Sequence, residues 1–179
     1  MTPEFSRPFL IASLPPGGCS VAIEADAGER AALARRMGVP EIAALACTFR
    51  LIPESVAAQG SIIAQARLVA RLTQICVVAL EPFETELDEE FRVRFVPAGC
   101  ESEDDDPFGI DEISWHGPAL DLGEAAAEQL GLALDPYPRG PAAPRAGAES
   151  ETAPEDAPGR ESGRAAHPFA ALAALRRGS

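Results

Sequence analysis

The chain has 179 residues, with 28 acidic and 15 basic side chains and a formal net charge of −13. This length suits one domain with accessory segments, and the 46% of hydrophobic residues is enough for one core. No apolar run reaches the roughly 18 residues of a membrane span, and the first residues lack the basic and apolar regions of a signal peptide. We therefore expect a cytoplasmic protein with no membrane partner.

The composition divides the chain into three segments. Residues 1–139 carry the strand and helix patterns of a single folded domain. Residues 140–167 are rich in Pro, Ala, Gly and Glu, so we expect a disordered linker that cannot offset its ordering entropy. Residues 168–177 predict a short amphipathic helix. Its apolar stripe consists of Phe169, Leu172 and Leu175. Because so short a helix is unstable alone, the stripe is predicted to dock on its own domain or on a partner.

The first 40 residues predict two strands and one helix. Pro8–Leu14 and Ser20–Ala25 are short apolar runs on either side of a Pro-Pro-Gly-Gly turn. Asp26 and Glu29 have the spacing of a capping box, so a helix is predicted to begin there. The helix is expected to end at Gly38, because glycine is common just after the last helical turn.

Three further strands are predicted between residues 45 and 95. In the first, Leu45–Leu51, alternate residues are apolar and Arg50 points to the opposite face. The alternation resumes over residues 62–73 and again over residues 91–95, and residues 80–83 form the turn between these two strands. These two strands are therefore predicted to form a hairpin.

A second helix is predicted after an acidic loop at residues 101–106. Asp121 and Glu124 repeat the capping-box spacing, and Pro136 terminates the pattern. The predicted buried stripe of this helix is Leu122, Ala126, Leu130 and Leu134. Runs of strands with helices at their edges indicate an α+β fold. We expect a mostly antiparallel sheet, as a meander or a partly closed barrel, with two main helices.

Four arginines on the predicted hairpin are candidates for binding RNA. If the strands pair as expected, the four share one polar face, where their guanidinium groups would follow a phosphate backbone. The four residues are Arg67, Arg71, Arg92 and Arg94. The alternative is that they pair across the strands with carboxylates of the same face, which are Glu84, Glu86, Asp88 and Glu90.

No residue pattern specifies catalysis. His116 lies beside the only tryptophan, Trp115, but no arrangement of nucleophile, His and carboxylate accompanies it. The acidic loop lacks the spacing of an EF-hand, and no phosphate-binding glycine loop is present. The four cysteines form no C-x-x-C pair. We therefore expect a protein that is not an enzyme.

Five separated blocks of sequence, in the right order, resemble the YceD-type proteins, formerly a family of unknown function. The blocks are F-S-R-P near the start, V-A-R-L-T-Q-I-C-V-V-A-L-E-P-F at residues 69–83, an F-x-V-x-F strand, L-D-L-G-E-A-A-A-E-Q-L-G-L-A-L-D-P-Y-P-R at residues 120–139 and the terminal H-P-F-A-A-L-A-A-L. The resemblance implies a non-catalytic role in ribosome biogenesis that supports accumulation of large-subunit (23S) ribosomal RNA.

The resemblance also implies a metal site in many family members, which carry a C-x-x-C motif. This chain keeps Cys76 of the motif but has Ala79 at the second position. One thiolate does not make a structural zinc site, so we expect neither a metal nor another cofactor.

Two kinds of partner remain open. The arginine face and the family resemblance favour direct binding to precursor large-subunit rRNA. The overall acidity favours an adaptor that recruits a basic ribosomal protein or assembly factor without touching RNA. No DNA partner is expected, and the sequence leaves the oligomeric state undetermined.

Overall fold

The computed structural model describes residues 3–54, 60–101 and 109–141. These residues form a five-stranded sheet, a two-stranded sheet and two helices. The predicted terminal helix with Phe169, Leu172 and Leu175 lies outside the described residues. So do most of the predicted linker and most of the acidic loop.

A single turn of 3-10 helix, Ile11–Ser13, follows the first strand. The strands and helices are β1 Pro8–Leu10, β2 Cys19–Glu24, α1 Ala27–Met37, β3 Glu41–Pro53, β4 Ile62–Ile75, β5 Pro82–Pro97, β6 Asp111–Trp115, β7 Ala119–Asp121 and α2 Leu122–Ala133. Neither helix has the length and apolar character needed to cross a membrane.

The larger sheet has the strand order β2-β3-β4-β5-β6. Its first four strands form an antiparallel meander, whereas β6 lies parallel to the end of β5. The predicted α+β class with a mostly antiparallel sheet is therefore confirmed. The sheet is open, so the partly closed barrel is not formed, and the parallel β6 was not predicted.

The first two predicted strands do not form a hairpin. β1 is shorter than predicted and pairs with β7, with Phe9 opposite Leu120. β2 pairs with β3 in the other sheet. Gly18 permits the close approach of the chain to β3 at the start of β2, because its φ of 73° is favourable for glycine and a Cβ would lie 2.3 Å from the carbonyl oxygen of Leu51.

Both helices begin where the capping residues predict. The Asp26 side chain accepts from the N–H of Glu29, and the Glu29 side chain accepts from the N–H of Asp26, which completes the capping box of α1. Gly38 ends α1 with a φ of 68°. At α2, the Asp121 carboxylate accepts from the N–H groups of residues 123 and 124.

The inner face of the larger sheet packs against both helices and forms the core. Alternate residues of β3 and β4 are buried as predicted, together with Leu33 of α1 and Leu130 of α2. The alternation in β4 has one exception. Ile63 is buried, with 4% of its surface exposed, although the following residues of the same face, such as Gln65 and Arg67, are exposed. The opposite side of the sheet, which we call the outer face, carries the candidate arginines.

Candidate nucleic-acid interface

The register of the β4–β5 hairpin places the four predicted arginines on the outer face. Arg67 lies opposite Glu90, and Arg71 lies opposite Glu86. Residues that face one another across antiparallel strands project to the same side of the sheet. Arg92 and Arg94 lie opposite residues 65 and 63, which belong to the same alternation. The hairpin and its polar face therefore follow the predicted pattern.

Arg67 is held by a carboxylate of the same hairpin. Its Nε donates to Oδ1 of Asp88 at 2.6 Å, and its Nη2 donates to Oδ2. Both side chains are more than half exposed, so solvent screens the pair. The carboxylate of Asp88 occupies the edge of the guanidinium group that carries Nε and Nη2. The observed contact of Arg67 is therefore a pairing with a carboxylate across the strands, which was the alternative to RNA binding.

Arg94 joins three strands. Its Nε donates to Oε2 of Glu54 at 2.9 Å, and its Nη1 donates to Oε1 of Glu112 at 3.3 Å. Ser61 donates its hydroxyl to the same Oε2 of Glu54 at 2.6 Å. The hydrogen bond from Ser61, followed by the interactions with Arg94, lowers the pKa of Glu54 below its ordinary value. Arg94 of β5 thus has a structural role, because it is bonded to β6 and to the residue that follows β3.

Arg71 and Arg92 are exposed, and neither forms a salt bridge with another described residue. They differ in their surroundings. Arg71 lies opposite Glu86 near the acidic end of the hairpin, whereas Arg92 lies opposite the uncharged Gln65. Of the four predicted arginines, Arg92 is therefore the best placed to meet an external phosphate.

Arg50 is a second available cation that the sequence analysis did not include in the site. It lies opposite Gln65 on one side and Ser20 on the other, so Ser20, Arg50, Gln65 and Arg92 form one row across four strands. Within the described residues Arg50 forms no salt bridge, and its one hydrogen bond is a long contact of 3.4 Å to the carbonyl oxygen of Gly17. We call Ser20, Arg50, Gln65 and Arg92 the arginine row.

The arginine row borders an open cavity of about 650 Å³ on the outer face. Thr48 and Arg67 also line this cavity, as does Glu90. Arg50 and Arg92 form no salt bridge within the described residues; the Gln65 amide lies between them, and the Ser20 hydroxyl lies beside Arg50. These groups provide hydrogen-bond donors for phosphate oxygens. The sequence showed that Arg50 lies on the face opposite the apolar residues of its strand. It did not show which residues lie beside Arg50 on the neighbouring strands.

The charge of the outer face changes sign along β5. Toward the β4–β5 turn the outward side chains are all acidic, and they are Glu84, Glu86, Asp88 and Glu90. Toward the other end they are Arg92 and Arg94. A polyanion would be attracted to the arginine row and repelled by the acidic half of the strand. Electrostatics therefore favour a phosphate near the arginine row over one near the acidic half of the strand.

Cys76 of the family motif does not lie in a metal-binding arrangement. Its side chain is buried, and its Sγ accepts from the N–H of Ala79 at 3.4 Å. This backbone N–H is the main cause that lowers the pKa of Cys76 below its ordinary value. Among residues 3–54, 60–101 and 109–141, no three His, Cys, Asp or Glu side chains are grouped to hold a metal ion. The residues present do not fit the metal of the C-x-x-C family members.

Comparison with known proteins gives one match. The model of the family described as "Large ribosomal RNA subunit accumulation protein YceD" matches residues 64–176, which is more than half of the chain. No match was found among the curated proteins or among the solved structures. The matched region includes β4 from residue 64 onward, β5 and α2, and therefore all four predicted arginines. By this match, the chain belongs to the YceD family of large ribosomal RNA subunit accumulation proteins.

Proposed function

We propose that this protein is a non-catalytic factor in the biogenesis of the large ribosomal subunit, and that it supports accumulation of 23S rRNA by binding its precursor directly. The arginine row carries this proposal. Arg50 and Arg92 lie in one row on an open surface, and neither forms a salt bridge with a described carboxylate. The family name supports the link to large-subunit rRNA.

Binding through so few arginines would be electrostatic and sensitive to salt. Each phosphate that a protein neutralises releases condensed counterions, so the affinity falls as the salt concentration rises. The acidic half of β5 would restrict the RNA to one orientation on the outer face, because phosphates placed there would be repelled. No aromatic side chain stands among the outward positions of the arginine row to stack a base. We therefore propose recognition of backbone or shape with little reading of base sequence.

The proposal is tested with the full-length protein and transcribed fragments of precursor large-subunit rRNA. Arg50→Gln and Arg92→Gln are expected to weaken binding, and each should lower the slope of log affinity against log salt by about one. Arg35→Gln is the matched control, since it removes the same charge from an exposed position on α1. Equal effects of all three variants would contradict a local site.

The same question can be asked in the native host. Crosslinking followed by RNA sequencing and mass spectrometry should give crosslinks to one region of the precursor, on peptides that contain Arg50 or Arg92. Clean deletion of the protein should lower the level of 23S rRNA. Normal rRNA levels and normal subunit profiles after deletion would contradict the biogenesis role.

The second candidate is a protein adaptor that never touches RNA. The acidic half of β5 favours it, because Glu84, Glu86, Asp88 and Glu90 present a surface suited to a basic partner. In that case Arg50→Gln and Arg92→Gln would leave function unchanged, whereas deleting residues 168–177 would impair it. Protein partners recovered without RNA crosslinks would favour the adaptor.

A further inference from the structure

Five exposed apolar side chains gather at one end of the molecule, around the loop that joins β4 to β5. The N–H of Val77 in this loop donates to the carbonyl oxygen of Pro138 at 2.9 Å, so the loop lies against the segment that follows α2. We call this surface the tip patch, and it consists of Ile75, Val77, Val78, Leu80 and Tyr137. Clustered exposed apolar side chains mark interaction surfaces more often than scattered ones do.

Leu80 is the most exposed member of the tip patch and has an unfavourable backbone conformation. Its side chain is 77% exposed, and its φ is 57°. Residues with a Cβ rarely adopt the left-handed region, where Gly or Asn is the usual occupant. Leu80 is the one non-glycine residue with a positive φ among those the structure describes. An exposed leucine in this conformation adds little burial to the isolated chain, which points to a contact with another molecule.

The loop that presents Leu80 is well connected. The N–H of Leu80 donates to the carbonyl oxygen of Cys76 at 2.8 Å, and the N–H of Cys76 donates to the carbonyl oxygen of Glu81 at 2.9 Å. The Sγ of Cys76 accepts from Ala79, as described above. The Leu80 side chain is therefore held in an outward position before any partner arrives, which lowers the entropy cost of binding.

An apolar groove of about 390 Å³ adjoins the tip patch. It lies between the C-terminal ends of α1 and α2, and Ile75 belongs to both the groove and the patch. Its other apolar lining residues include Met37, Val39, Pro40, Leu134 and Pro136. A projecting leucine beside a groove is a surface that an amphipathic segment can cover with one apolar face.

Carboxylates surround this surface. Asp135 lines the groove, Glu41 follows Pro40 of the groove, and Glu81 follows Leu80. Glu84 lies opposite Thr73, in the next outward row of the hairpin. The nearby cations are fewer than these carboxylates: Arg139 is the neighbour of Pro138, Arg35 lies in the last turn of α1, and Arg36 in that turn is already paired with Glu4 and Glu124. The border of the surface is therefore negatively charged.

We propose that the tip patch and the groove beside it bind a basic amphipathic segment of a partner protein. Its apolar side would cover Leu80 and the groove, and its Lys or Arg side chains would face the surrounding carboxylates. An RNA backbone or an anionic membrane would meet the same carboxylates and be repelled, and a second copy of this chain would add further acidic groups. This protein contact is distinct from the RNA contact proposed above and does not depend on it.

Site-specific photocrosslinking in the native host tests the proposal. The full-length protein is made with benzoylphenylalanine at position 80 or at position 10, because Leu10 is also exposed, at 55%, but lies on β1, which pairs with β7 just ahead of the start of α2 rather than at the groove beside its end. We expect position 80 to crosslink to basic peptides of one or a few proteins, at least ten times more than position 10 does. Equal yields from the two positions, or crosslinks only to RNA or to the chain itself, would overturn the proposal.

A second experiment tests the leucine side chain with the partner that the crosslink identifies. Leu80→Asn keeps a residue that tolerates the left-handed region while removing the apolar contact. Its dissociation constant should rise about tenfold or more, as expected for losing a buried leucine, whereas that of Leu10→Asn, on β1, should stay within about twofold. Arg50→Gln should leave this affinity unchanged, which separates the protein contact from the RNA contact. An unchanged affinity for Leu80→Asn would overturn the proposal.

Discussion

Arg7 and Glu29 form a bidentate ion pair between the N-terminal segment and the first turn of α1. Nη1 of Arg7 donates to Oε1 of Glu29 at 2.6 Å, and Nη2 donates to Oε2 at 2.8 Å. The guanidinium group also lies 4.7 Å from the ring centre of Phe5. The N–H of Arg7 donates to Asp121, the N-cap of α2. The F-S-R-P block therefore connects the starts of both helices.

The Arg7–Glu29 pair should contribute to stability in a way that depends on pH. Arg7 lowers the pKa of Glu29 through its hydrogen bonds, so folding favours the charged carboxylate. A lowered folded-state pKa stabilises the protein above the unfolded pKa, and this stability is lost as the pH falls through the folded value. Glu29→Gln, which retains an acceptor for the capping box, should cost about 1 kcal/mol near neutral pH.

Urea unfolding of the Glu29→Gln variant at several pH values measures this contribution. The difference from the native chain should be full at neutral pH and should shrink as the pH falls below about 4. Glu128→Gln is the control, because Glu128 is exposed on α2 and forms no salt bridge within the part of the chain that the structure describes. A difference that grows on acidification would be inconsistent with the pair.

Gly123 should tolerate no side chain, because the N-terminal segment crosses α2 at this position. A Cβ on Gly123 would lie 2.7 Å from the carbonyl oxygen of Phe5 and 2.9 Å from the N of Arg7. Gly123→Ala is therefore expected to destabilise the protein by about 1–3 kcal/mol. Gly131 lies in the same helix with no atom near its Cβ position, so Gly131→Ala should stabilise by about 0.5–1 kcal/mol. Thermal unfolding of the two variants should give shifts of opposite sign.

Removing the carboxylate of Asp88 should strengthen RNA binding if the proposed interface is correct. Asp88 occupies two donors of Arg67, and Arg67 lines the same cavity as Arg50 and Arg92. Asp88→Asn releases this guanidinium group and removes one negative charge, so the salt slope should become steeper by about one.

The matched control for Asp88→Asn is Glu89→Gln, which removes the same charge from the next residue of β5. Glu89 is exposed, but it alternates with Asp88 and therefore does not belong to the outer-face residues of the strand. Fluorescence anisotropy with one precursor rRNA fragment at three salt concentrations compares the two variants. Equal gains in affinity would mean that only the net charge matters and that Arg67 contacts no phosphate.

Leu80 should lower the stability of the isolated protein slightly. The left-handed conformation costs a residue with a Cβ about 1–2 kcal/mol, and Asn tolerates it better than Leu does. Leu80→Asn is therefore expected to raise the free energy of unfolding by up to about 1 kcal/mol. The same substitution at Leu132, inside α2, should lower it by about 0.5 kcal/mol because Asn is a weaker helix former.

Chemical unfolding of the Leu80→Asn and Leu132→Asn variants checks the sign of each effect. A loss of stability for Leu80→Asn would show that the leucine side chain supports the loop itself. The expected gain, together with weaker partner binding, would identify Leu80 as a residue whose conformation is retained for contact with another molecule.

Local patterns were sufficient for most of the secondary structure. Asp26 and Glu29 predicted the start of α1, because the capping box satisfies backbone donors within four residues. The alternation from Ile62 predicted β4 and its buried side, since successive side chains of a strand point to opposite faces. The hairpin of β4 and β5 followed from two such strands with a short connection.

The relationships between distant segments required the tertiary structure. β1 pairs with β7 although more than 100 residues separate them, and no local pattern records that pairing. The arginine row has the same origin, because Arg50 and Arg92 are brought to either side of Gln65 only by the registers of two strand pairs. The tip patch likewise depends on the contact between Val77 and Pro138.

The charges on the hairpin show most clearly what local sequence patterns predict and what depends on the tertiary structure. Arg67, Arg71, Arg92 and Arg94 were placed on one face by their spacing alone, because the side-chain period of a strand is two. The tertiary structure decided which of these arginines form salt bridges with carboxylates. Arg94 forms salt bridges with Glu54, which follows β3, and with Glu112 of β6, whereas Arg92 forms no salt bridge with a described carboxylate. Spacing sets the face on which a side chain lies, but only packing sets its partners.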